Sequence, residues 1–207
     1  MLTPTTDTTP AVVRLPAAEP SGAIWVSRFP GSASVSTLVS PFKDSVVAFL
    51  VALRAAGATV TISATWRPPE RAYLMHWSWR VFKKAYDPRS VPVMAGIRIL
   101  WAHVVHGSYS ESGSRAGAEE MVNGFGMQRL KTAPALMSNH IRGNAIDMNI
   151  SWNGGLRIAK ADGVSVTIEG EPHNGLNSDL RAVGASFGVI KFSGGSDDIP
   201  HWSADGK

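Results

Sequence analysis

Phe42, Val46, Phe49, Leu50 and Leu53 fall at i, i+4, i+7, i+8 and i+11, which places all five on one face of a helix. Ser40-Pro41 supplies an N-cap followed by proline at the first helical position, and Gly57 supplies the stop. The period then shortens to two. Val60, Ile62 and Ala64 alternate with Thr59, Thr61 and Ser63, the signature of a half-buried strand. This strand runs into Thr65-Trp66-Arg67-Pro68-Pro69, and the prolines open a second helix with Tyr73, Leu74, Trp77 and Val81 on its apolar side, ending near Lys83-Lys84. Upstream, residues 23–29 read as a first strand closed by Pro30-Gly31.

The next stretch is less regular. Residues 92–106 are apolar enough for a further helix, 107–118 are Gly/Ser-rich and read as a loop, and helix is expected again over 119–131. Beyond His140 the pattern turns to strands. Ile146, Met148 and Ile150 point one way, and Ala145, Asp147 and Asn149 the other. Residues 156–159 and 164–168 form a meander with turns at Asn153-Gly154-Gly155 and Asp162-Gly163, and a helix over 176–185 and a strand over 189–192 follow. Helices early and short consecutive strands late predict an α+β fold: an antiparallel sheet with helices packed on it. The βαβ order of a doubly wound sheet is not sustained, and no internal repeat is visible.

Composition narrows this only in places. At 207 residues, with 44% hydrophobic content, the chain fits one domain with a substantial core. Residues 21–207 are assigned to that domain and the Thr/Pro/Ala-rich residues 1–20 to a disordered leader. The leader has neither the basic start nor the apolar core of a signal peptide, and no apolar run approaches the ~20 residues of a membrane span. The absence of cysteine removes disulfides and thiolate metal sites, so any metal must be held by His and carboxylate. The net charge of +4 favours approach to polyanions: nucleic acid, anionic lipid and cell-wall polymers all qualify.

Chemistry concentrates in two segments, 138–147 and 198–202. His140, Asp147 and His201 are two imidazoles and a carboxylate, a set that holds a catalytic zinc and leaves its fourth position open. Asp198, three residues before the last histidine, is in reach to act on a water at that position. A bend at Gly143 is needed to bring His140 to the side of Asp147. His103 and His106 share i, i+3 spacing but lack a carboxylate, so structural roles are expected. His173 is placed in a loop, and Trp66, Trp77 and Trp79 are read as core before they are read as a sugar platform.

The two segments resemble those of the zinc D-Ala-D-Ala carboxypeptidase and L-alanyl-D-glutamate endopeptidase family of peptidoglycan hydrolases. The first carries Ser-x-His-x-x-Gly-x-Ala-x-Asp at Ser138, His140, Gly143, Ala145 and Asp147, and the second an acid-x-x-His-Trp ending at Asp198, His201 and Trp202. The resemblance implies a hedgehog/D-Ala-D-Ala-peptidase-like fold and zinc on His140, Asp147 and His201. It further implies a catalytic carboxylate at Asp198, where many members carry Glu, and Asp there looks like the phage-endolysin branch. Ser63-Ala64-Thr65-Trp66-Arg67 looks like the family's Ser-x-Tyr-Arg segment, so Arg67 inherits the role of gripping a substrate carboxylate or carbonyl. The residues after it, Pro68-Pro69-Glu70-Arg71, depart from the family's glutamine. The expected activity is endopeptidase cleavage of peptidoglycan stem peptides. The alternatives are a D-alanyl-D-alanine carboxypeptidase and a catalytically silent wall-binding or virion module that keeps the metal site. The expected partner is bacterial peptidoglycan and not nucleic acid, met by a monomer that reaches the wall through lysis, a virion or a specialised secretion route.

Overall fold

The computed structural model describes residues 17–194 and 199–207. In chain order they form β1 (Glu19–Pro20), α1 (Phe42–Ala55), β2 (Thr59–Ala64), α2 (Pro69–Lys83), β3 (Ile99–Leu100), β4 (His103–Val105), β5 (Ser108–Ser110), α3 (Glu111–Gly124), β6 (Ala145–Ser151), β7 (Leu156–Ala159), β8 (Ser165–Ile168), α4 (Ser178–Ser186), β9 (Ile190–Lys191) and β10 (His201–Ser203). The fold is α+β, and its main sheet has the order β2-β6-β10-β9 with every pairing antiparallel. β1–β3, β4–β5 and β7–β8 form separate two-stranded pairs.

One face of the main sheet is apolar because β6 alternates. Ile146, Met148 and Ile150 enter a core with Phe42, Val46, Phe49, Leu50 and Leu53 of α1, Leu156 and Ile158 of β7, Ile168 of β8, and Leu180 and Val183 of α4. Trp202 of β10 is fully buried in this core, its ring 5.7 Å from that of Phe49. α4 passes close above it at Gly184, where a Cβ would come within 2.8 Å of the indole. A second core lies between α2 and α3, where Tyr73, Leu74, Trp77 and Val81 meet Trp25, Ile97, Trp101, Ala118 and Met121.

Both helices expected from the early pattern are present with their expected buried faces, and so are β2, β6 and the β7–β8 pair. The N-terminus of α1 differs in detail. Pro41 occupies the cap position without a side-chain bond, and the first amides are met by carbonyls instead, Lys43 N by Val39 O and Asp44 N by Pro41 O.

Three segments depart from the expectation. Residues 23–29 are not a strand: Ala23–Trp25 form a 3-10 turn, in which Trp25 is buried and its indole donates to Pro20 O at 3.0 Å. Seating one large ring in the second core overrides the β propensity of its neighbours. Residues 92–106 are not a helix but lead into the β4–β5 hairpin. The two residues between its strands, His106 and Gly107, both have positive φ, 50° and 78°, as a type I′ turn requires. Residues 107–118 are not a loop, because α3 starts at Glu111 with Ser110 as N-cap and ends at Gly124. Its buried stripe begins with Ser114, Gly117 and Ala118, small residues that show no hydrophobic periodicity.

Candidate metal centre

The strand pairing itself assembles the site. Ile146 and Met148 point into the core, so Asp147 between them points to the other face of β6. β10 pairs with β6 so that His201 is opposite Asp147 and Trp202 opposite Ile146. Burial of the Trp202 indole therefore orients the neighbouring imidazole toward the carboxylate. On the other side β2 brings Ala64 opposite Asp147, across a register shift after Ile62.

His140 arrives from the turn that precedes β6. Gly143 closes that turn with φ 70°, a conformation costly for a residue with a Cβ. It also packs so closely on the chain before α1 that a Cβ would lie 2.9 Å from Val39 Cγ2 and 3.1 Å from Thr37 O. Its carbonyl accepts from Val39 N at 3.0 Å. The glycine thus meets two demands at once, and the bend expected there is observed.

His140 Nε2, Asp147 Oδ1 and His201 Nδ1 stand at 3.1, 3.1 and 3.0 Å from one another. A tetrahedral zinc with bonds of ~2.0–2.2 Å has ligand atoms roughly 3.3–3.6 Å apart, so the three atoms lie a few tenths of an ångström inside the spacing of a metal-ligand triangle. Both imidazoles are buried and the carboxylate is largely so. Burial pushes the Asp147 carboxyl up, but hydrogen bonds and charge from His140 and His201 outweigh it and hold the group well below the usual carboxylate range. His140 Nδ1 is buried with no hydrogen-bond partner among the described residues, so the hydrogen bonds of this ring seen among them are those of Nε2 at the triad. Two nitrogens and one ionised oxygen converging in this way suit a metal ion.

The far side of the His201 ring has a main-chain partner. Its Nε2 is 3.1 Å from the main-chain oxygen of Lys207, which can only accept. With a metal on Nδ1 the proton would sit on Nε2 and be donated to this oxygen. Asn139, Ser203, Asp205 and Lys207, none of which stood out in the sequence, build this support. Slight burial raises the Asp205 carboxyl, but hydrogen bonds from Lys207 N, Asn139 and Ser203 keep it below its ordinary range.

The triad lies in the wall of a cleft of about 650 Å³. Arg67, Arg142 and Lys207 line it with cationic groups beside the carboxylates of Asp147 and Asp205, and Met75, Met137 and Phe192 add apolar ones. Arg67 follows β2, and its main-chain N–H donates to His140 O at 3.3 Å, so the expected substrate clamp does share the cleft. Arg142 is exposed and forms no ion pair among the described residues. Asp198, the expected catalytic carboxylate, lies outside the described residues.

The remaining candidates stand apart. His103 and His106 lie on and after β4 rather than on a helix, and His103 Nε2 is 2.8 Å from Ser21 Oγ. Trp77 and Trp79 are buried in two different apolar clusters. His173 packs on Trp152 with ring centroids 5.4 Å apart. No helix among the described residues is long and apolar enough to cross a membrane. Compared with family models, curated proteins and solved structures, the chain matches none.

Proposed function

We propose that the chain is a zinc-dependent peptidase of peptidoglycan stem peptides, of the L-alanyl-D-glutamate endopeptidase type, with the hedgehog/D-Ala-D-Ala-peptidase-like fold that its motifs resemble. The observation that carries this reading is the convergence of His140 Nε2, Asp147 Oδ1 and His201 Nδ1 within 3.1 Å of one another in the wall of a cleft. Zinc suits two imidazoles and one carboxylate in a chain without thiols. When bound, it supplies Lewis acidity toward a peptide carbonyl and activates water for attack.

The chain's own groups do the rest. Asp198 takes the proton of the attacking water and returns it to the leaving amine, the work of a general base and then a general acid. Arg67 binds a substrate carboxylate or carbonyl through its planar fork of donors. The cationic groups of Arg67, Arg142 and Lys207 suit the carboxylates of wall peptides, and the apolar side of the cleft suits their short aliphatic side chains.

Mass spectrometry of peptides released from purified Gram-negative sacculi by the full chain, with zinc and with chelator, tests the reading. New amino-terminal D-Glu, abolished by chelator, is expected. Release of free D-Ala alone would identify a carboxypeptidase instead. No release by protein carrying stoichiometric zinc would leave a wall-binding module and overturn the assignment.

A further inference from the structure

His201 serves the triad through Nδ1 only while its proton stays on Nε2, so whatever holds the acceptor of that proton acts on the metal site. The acceptor is the main-chain oxygen of Lys207. Asn139 Nδ2 donates to this oxygen at 2.9 Å and to Asp205 Oδ1 at 2.6 Å, so both amide hydrogens have a partner. The same Asp205 oxygen accepts from Lys207 N at 3.1 Å, and the single proton of Ser203 Oγ is shared between it at 3.2 Å and the Lys207 oxygen at 3.1 Å. Lys207 N also lies 3.0 Å from Ser203 Oγ.

The chemistry matches the geometry. An ionised carboxylate accepts only and has room for three donors, while an amide nitrogen donates only. Asn139 belongs to the turn that carries His140, and its own carbonyl accepts from Asn144 N at 2.9 Å. Asp205 and Lys207 follow β10, which carries His201. The Asn139–Asp205 bond therefore adds a side-chain link between the two ligand-bearing segments, beside the backbone bond from Ala204 N to Asn144 O at 3.1 Å.

We propose that Asn139 and Asp205 are positioning residues for the metal centre: they clamp the His140 turn to the segment after β10, seat the Lys207 oxygen under His201 Nε2, and so set the tautomer and ring direction of a ligand. This rests on the metal reading above. The carbonyl partner of a ligating histidine fixes its orientation and basicity, and loss of such a partner costs roughly 10–100-fold in metal affinity.

The test uses the full chain, stripped of metal and titrated with Zn²⁺ and separately with Co²⁺, comparing wild type with Asn139→Leu, Asp205→Ala and Asp205→Asn. Wild type is expected to bind one equivalent. Asn139→Leu and Asp205→Ala are expected to bind roughly 10–100-fold more weakly and to shift the visible Co²⁺ bands, which report ligand geometry and which a purely structural loss would leave alone. Asp205→Asn keeps an acceptor oxygen and is expected to recover most of the affinity, and it remains informative if the alanine variant fails to fold. Wild-type affinity and an unshifted Co²⁺ spectrum in Asn139→Leu and Asp205→Ala would overturn the clamp while leaving the metal site standing. Absence of metal binding by wild type would overturn the metal reading itself.

Discussion

His201 stands opposite Asp147 in the β6–β10 pairing, and its Nδ1 lies 3.0 Å from the Asp147 carboxylate. Two residues 54 apart in the chain are thus brought together by backbone hydrogen bonding. Because side chains alternate along a strand, the register that buries Trp202 and Ile146 on one face delivers the imidazole and the carboxylate to the other. The candidate metal centre and the hydrophobic core are two sides of one sheet, and a change in either is felt by both.

Replacing Trp202 by Ala should accordingly damage stability and metal binding together. The indole is fully buried against Phe49 and the backbone of Gly184, and truncating such a side chain typically costs about 3–5 kcal/mol. Urea unfolding of the metal-free chain measures the loss, and zinc titration at low urea is expected to show weakened binding. Full stability in this variant would mean that the β10 register is held by something other than the indole.

The glycine of the first motif offers a sharper contrast. Gly143 and Gly154 have nearly the same positive φ, 70° and 67°, but a Cβ at Gly154 meets nothing within 4 Å whereas one at Gly143 meets Val39 and Thr37. Gly154→Ala should therefore lose only the backbone term, about 1–2 kcal/mol. Gly143→Ala should lose more, and should weaken metal binding by moving the His140 turn. Equal losses in the two variants would remove the close approach as the reason for a glycine here.

Much of this was legible in the sequence, for identifiable reasons. α1, α2, β2 and β6 bury large aliphatic or aromatic side chains at a clean period, and their pattern is strong enough to read directly. α3 hides because Ser114, Gly117 and Ala118 pack its N-terminal half against its neighbours and carry little hydrophobic signal. The β4–β5 hairpin was readable in principle from His106-Gly107, a two-residue turn ending in glycine, but the apolar run before it favoured a helix. Among the site residues, the three candidate ligands were visible as residue types in two motifs. The clamp was not, since its last acceptor is a main-chain oxygen, which any residue possesses, and the sequence carries no mark of it.

pH should act at a place remote from the cleft. Burial lowers the pKa of His103, opposed by its Ser21 contact and by the charge of Glu120. A group whose folded value is depressed is bound more readily by protons when unfolded, so its stabilising contribution is complete above the unfolded pKa of about 6.5 and is lost as pH falls through the folded value. Urea midpoints at about pH 7.5 and pH 5.5 should fall further for wild type than for His103→Gln. The metal-site histidines are common to both proteins, so the difference isolates His103. Parallel losses would contradict the assigned burial.

Arg142, exposed in the cleft lining, separates substrate recognition from metal binding. Arg142→Glu reverses a charge without touching a ligand, so zinc stoichiometry should stay at one. The kcat/KM for acidic stem peptides should fall about tenfold or more, equivalent to roughly 1.4 kcal/mol, with a larger rise in KM than fall in kcat. An unchanged kcat/KM would show that the cationic side of the cleft does not meet the substrate.

Zinc titration into the metal-free full chain, compared among wild type, His140→Ala, His201→Ala and Asp198→Ala, tests the account most directly. One equivalent is expected to bind to wild type and to Asp198→Ala, the latter without hydrolysis of sacculi, and neither histidine variant should retain that site. Undiminished zinc binding in His140→Ala or His201→Ala, or loss of zinc in Asp198→Ala, would contradict it.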